Sequence, residues 1–151
     1  MLPGVRPDGT PVGLRSGRAL PDPEVRPGPG GATGVPGEYR LSWTGGAPQP
    51  AGTAVAGWLA VDPAGGSVRV RVSAAPGRRR LLLHVGTAGA DVTAEVHLGA
   101  ERRTVTLSAP APAGVVTVTA ESATDELVVD LTGRTVAAGG RFGLAAVTLT
   151  G

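Results

Sequence analysis

The sequence predicts an all-β protein: an antiparallel β-sandwich of immunoglobulin-like or jelly-roll type, preceded by a Pro/Gly-rich extended segment. Three observations predict it. From position 39 onward apolar residues recur with period two, no stretch carries the 3.6-residue period of an amphipathic helix, and Gly and Pro clusters punctuate the chain at short intervals. Spacing alone leaves both sandwich topologies open.

Residues 1–37 contain eight of the 14 Pro and nine of the 25 Gly. With no periodic apolar face, such a stretch cannot offset the entropy of ordering itself, so 1–37 reads as a linker or tail and 38–151 as the sandwich module. Within it, Gly28-Pro29-Gly30-Gly31 lacks the preceding strand and following helix of a dinucleotide-binding loop. The strands then follow in order. Tyr39, Leu41 and Trp43 alternate with Arg40, Ser42 and Thr44, placing Trp43 in the core. Val55, Gly57, Leu59 and Val61 alternate with Ala56, Trp58 and Ala60; Val68, Val70 and Val72 alternate with Arg69 and Arg71. Six further strands are read around Leu81–Val85, Val92–Leu98, Val105–Leu107, Val116–Val118, Leu127–Leu131 and Phe142–Leu149. The last changes parity between Leu144 and Val147, as a β-bulge requires.

Composition excludes several chemistries. The chain has 151 residues and no Cys, which removes disulfides, thiolate metal sites and cysteine nucleophiles. It has no Lys, so a phosphate-binding Walker loop is absent. All 14 basic residues are Arg, the net charge is only +2, and the pI near 10.4 reflects the scarcity of groups that titrate between His and Arg. Nucleic-acid binding is not indicated. No apolar run approaches the ~20 residues of a membrane span, and Met1-Leu2-Pro3-Gly4 does not read as a secretory signal.

Gly65-Gly66-Ser67 is not a nucleophile elbow, because Val68 and Arg69 continue a strand. The 12 acids are scattered rather than paired for glycoside hydrolysis, so no catalytic residues are assigned. His84 and His97, with Glu95, form a weak candidate metal set; the ordinary reading is two solvent-facing imidazoles. Glu121, Asp125, Glu126 and Asp130 make either a Ca²⁺-binding loop without EF-hand spacing or a solvated acidic turn. Neither yields an assigned metal, and no cofactor is implied. Arg78-Arg79-Arg80 reads as a polyanion contact or, more simply, as a charged turn guarding Leu81-Leu82-Leu83 against aggregation. Trp58 is the best ligand-binding candidate: alternation directs it away from Leu59 and Val61, where an outward indole offers a stacking surface for a sugar. The competing reading has it covering a gap beneath the N-terminal segment or between sheet edges.

Tyr39-Arg40-Leu41-Ser42-Trp43-Thr44-Gly45-Gly46, Leu81-Leu82-Leu83-His84-Val85-Gly86 and Gly143-Leu144-Ala145-Ala146-Val147-Thr148-Leu149 together resemble an accessory β-sandwich module of actinobacterial secreted glycoside hydrolases and cell-surface proteins. Its usual motifs are F-S-W-T-D-G-x-P, L-x-V-Y-V-G and L-x-A-x-x-L, and the likeness runs over residues 37–151. Gly45 replaces the acidic residue, His84 takes the aromatic position before Val85-Gly86, and Leu98-Gly99-Ala100 stands where L-S-D-G-S is usual. The resemblance implies an extracellular or cell-surface, non-catalytic module beside an upstream catalytic domain, with glycan binding or a spacing role. The alternatives are the C-terminal piece of a glycoside hydrolase whose catalytic residues lie elsewhere, and an adhesive surface domain. The expected ligand-binding residues are Trp58 and His84, and the expected ligand is a polysaccharide.

Overall fold

Alternation of Val or Leu with polar residues leaves each segment one burial face, and the extended chain satisfies it by pairing. Ser67-Val68-Arg69-Val70-Arg71-Val72 shows the principle: the three valines are wholly buried while Arg69 and Arg71 project outward. The computed structural model describes residues 2–3, 23–44, 51–108 and 113–151, with backbone alone for 2–3, 36–41, 43–44 and 51–56. These residues form eleven strands and no helix: β1 (Leu2–Pro3), β2 (Glu24–Pro27), β3 (Thr33–Thr44), β4 (Ala51–Val61), β5 (Ser67–Val72), β6 (Arg78–Ala88), β7 (Ala90–Leu98), β8 (Glu101–Leu107), β9 (Ala113–Glu121), β10 (Leu127–Thr135) and β11 (Arg141–Thr150).

They pair antiparallel in two sheets. The first runs β3-β4-β11-β6-β9, with β1 beside the far half of β11; the second runs β2-β5-β10-β7-β8. From β4 onward the pairing is nested: β4 with β11, β5 with β10, β6 with β9 and β7 with β8. A long hairpin with its tip at Gly99-Ala100 has been rolled so that successive pairs alternate between sheets. This is jelly-roll topology, and it settles the open alternative against the immunoglobulin-like one. At the tip Gly99 has φ +55°, the left-handed conformation a two-residue hairpin turn demands.

Among the described residues, the core between the sheets is built from Val, Leu, Ala and the ring of Phe142. Phe142 of β11 is fully buried, and a Cβ on Gly133 of β10 would collide with that ring, so this glycine makes the space the ring occupies. β11 is the centre of the first sheet, and Phe142 through Val147 are buried on both faces. The predicted parity change is present: the β11–β6 register shifts between Leu144 and Ala146, so Leu144 and Val147 both reach the core.

The N-terminal segment differs from the expected linker. Glu24–Pro27 pairs with Pro27 opposite Val68 and Glu24 opposite Arg71, and Val25 and Ala32 pack against the core. An edge position explains why this sequence is tolerated, since Pro27 has no N–H to give a further neighbour. Residues 4–22 lie outside the described residues. The placement of Trp43 in the core likewise falls on a side chain outside them.

Candidate functional site

The two outer faces of the sandwich differ in chemistry. On the second sheet, opposite charges from neighbouring strands interlock. Arg69 Nε donates to Asp130 at 2.6 Å, Arg71 Nη2 to Glu126 at 2.8 Å, and Arg134 Nη2 to Asp91 at 2.5 Å. Arg102 lies 3.7 Å from Glu95, and Arg26 pairs with Glu24. The hydrogen bond that Arg69 donates to Asp130 holds its guanidinium above its ordinary pKa, and the one that Arg71 donates to Glu126 does the same. This face is charge-compensated.

The outer face of the first sheet is built differently. Register places four rows across β11, β6 and β9: Gly143, Gly86 and Ala113; Ala146, His84 and Val115; Thr148, Leu82 and Thr117; Thr150, Arg80 and Thr119. Trp58 projects over the first of these from β4. A Cβ on Gly86 would lie 2.7, 2.9 and 3.2 Å from Cε3, Cζ3 and Cδ2 of its indole. Three bonded ring atoms at such similar distances mean that the approach is onto the ring face, because an edge-on approach would leave the flanking atoms much farther away. The indole therefore lies flat across the sheet, one face on Gly86 and the other turned away. Gly143, between them on β11, is also obligatory: a Cβ there would run into the carbonyl of Leu59.

Trp58 is half-buried, and His84 lies two residues from Gly86 on the same face. The structure thus brings the two sequence-selected residues together. Burial lowers the His84 pKa below its ordinary value of 6.5, which keeps the ring neutral at pH 7. Beside it Val115 is 46% exposed, so the centre of the face offers apolar surface as well as an imidazole.

The candidate metal sets are not assembled. His84 lies on the outer face of the first sheet and His97 on that of the second, so the sandwich separates them. His97 Nε2 instead sits 3.4 Å from Glu95 and 3.9 Å from Asp130. In the acidic loop, Glu126 and Asp130 are taken by arginines, and Asp125 accepts from Ser122 Oγ at 2.7 Å. Among the described residues no group of three metal-ligating side chains occurs.

The Arg78-Arg79-Arg80 run is not a uniform charged turn. Arg79 shares the inward parity of Leu81 and Leu83 and is fully buried, while Arg78 and Arg80 project outward. The two outer arginines border a shallow depression with Thr117, Thr119, Thr150 and Gly151. Sequence reasoning passed over this division, although alternation from Leu81 back to Arg79 signals it.

No family model matches the chain, and no curated protein does. Among solved structures it is similar to the carbohydrate-binding module TmCBM61, in complex with beta-1,4-galactotriose. The identity is 11% and the TM-score 0.48, over 85% of this chain and 87% of that one. The β-sandwich assignment stands on the two sheets described above. No helix among the described residues is long and apolar enough to cross a membrane.

Proposed function

We propose that the chain is a non-catalytic glycan-binding module that holds a sugar chain against the outer face of its first sheet. Trp58 is the stacking platform and His84 the polar neighbour. One observation carries this: the indole laid flat over Gly86, the orientation in which the C–H face of a pyranose can stack on it. A tryptophan filling a gap would present an edge to the sheet as readily as a face. Farther along the same face, threonines and arginines supply hydrogen bonds for hydroxyl groups, and a neutral His84 carries one donor and one acceptor nitrogen.

The resemblance to accessory modules extends the proposal to a secreted or cell-surface carbohydrate-active protein, in which this chain is tethered beside an upstream catalytic domain.

The test is depletion of the chain by a panel of soluble and insoluble polysaccharides, with Trp58→Ala alongside and circular dichroism confirming that both fold. At least one polysaccharide retains the wild type, and the variant binds it about tenfold or more weakly, as for a central aromatic anchor. Equal retention of the two proteins overturns the role of Trp58. Failure of every polysaccharide leaves the face as a spacer or protein contact.

A further inference from the structure

We infer that the sugar chain taken by this face is anionic, a carboxylate-bearing polysaccharide whose acidic groups are clamped by Arg78 and Arg80. The inference rests on the glycan-binding reading above and names the class of glycan.

It begins with an asymmetry of charge. Arg26, Arg69, Arg71, Arg102 and Arg134 of the second sheet each have a carboxylate within 4.0 Å, whereas Arg103, on the edge strand β8, donates to the Arg102 carbonyl instead. Arg78 and Arg80, exposed on the first sheet, have none among the described residues, although Glu121 stands opposite Arg78 in the register. Two positions apart on one strand, they point to the same side with Cα atoms about 6.6 Å from each other. Two like charges so placed repel, and a carboxylate between them relieves the repulsion while accepting the paired N–H donors of a guanidinium fork. The depression they border with Thr117, Thr119, Thr150 and Gly151 adds three hydroxyl groups.

Continuity with the stacking platform makes this a subsite of an extended chain. Six residues of β6 separate Gly86, under the indole, from Arg80, a span of about 20 Å. A ligand touching both is therefore an oligomer, and it crosses His84, Leu82 and their row partners on the way. Arg141, likewise exposed and outward on β11, lies just beyond the Trp58 end, so cations with no carboxylate partner among the described residues bracket the platform. A nucleic acid would want aromatic platforms beside its phosphate contacts. Here the indole is remote from Arg78 and Arg80, and threonines flank them instead.

The experiment titrates the full chain with polygalacturonate and with the same polymer after reduction of its carboxyl groups, at 50 and 300 mM NaCl. It compares wild type, Arg78→Gln/Arg80→Gln and Trp58→Ala. The expected result is at least tenfold tighter binding of the acidic polymer at low salt, a preference that shrinks at high salt. The double Gln variant binds both polymers alike, and Trp58→Ala weakens both. Wild type that binds the two polymers equally, or a double variant that keeps the preference, overturns the clamp and leaves the glycan reading standing. Wild type that binds neither acidic nor neutral chains removes both. Tighter capture of single-stranded DNA than of polygalacturonate overturns the assignment to a sugar.

Discussion

Arg79 shows how one residue closes a sandwich. Its guanidinium is wholly buried with no carboxylate beside it and is satisfied by backbone instead. Nη1 donates to the Ser73 carbonyl at 2.8 Å, and Nη2 to those of Ser122 and Asp125 at 2.8 and 3.2 Å. It thereby ties the β5–β6 loop to the β9–β10 loop across the end of the core, and Nε remains without a partner. Removing it strands three carbonyls and opens a void. Arg79→Ala is expected to lower the unfolding free energy by at least about 3 kcal/mol, near 1 kcal/mol or more for each orphaned acceptor. Arg79→Lys should recover little, because one ammonium cannot span both loops. Urea melts measure both variants, and a loss below about 1 kcal/mol for Arg79→Ala would contradict this account. The second sheet's pairs are a contrast: Arg69 is 57% exposed at its side chain, and such pairs contribute ~1 kcal/mol or less.

At the scale of elements, legibility followed periodicity. The nine strands read from alternation all exist, and the parity break in β11 forecast its bulge, because a core residue must point inward whatever the register. β1 and β2 were not legible. A two- or four-residue strand rich in Pro carries no period, and its existence depends on a partner edge that sequence does not display. Likewise, alternation put Trp58 and His84 on outer faces, yet which sheet each would join was a matter of topology. Gly86 and Gly143, which make room for the indole and for close strand packing, look from sequence like any other strand glycines. The status of β2 can be measured. Val25 is half-buried against the core, so Val25→Ala should cost about 1 kcal/mol in a thermal or urea melt. A freely moving linker would register no change at all.

The molecule as a whole is a rolled hairpin, and this has a kinetic consequence. Only the β7–β8 turn pairs immediate sequence neighbours with a two-residue link; the β4–β11 partners Val61 and Phe142 come from near opposite ends of the sandwich-forming chain. Each nested pair encloses a longer loop than the one inside it, and the entropy of closing that loop is lost before the outer contacts form. The outermost pair also positions the functional face. Gly143 aligns with Ala60 on one side and Gly86 on the other, so the indole of Trp58 finds its glycine only once β11 lies between β4 and β6. Stopped-flow refolding of a Trp43→Phe variant, whose tryptophan fluorescence reports Trp58 alone, should therefore show its main change in milliseconds to seconds, as for other β topologies dominated by distant contacts. Microsecond recovery of the native signal would mean that Trp58 reaches its surroundings through local structure alone. In that event the platform would form without the rolled hairpin, and the link drawn here between topology and site would fail.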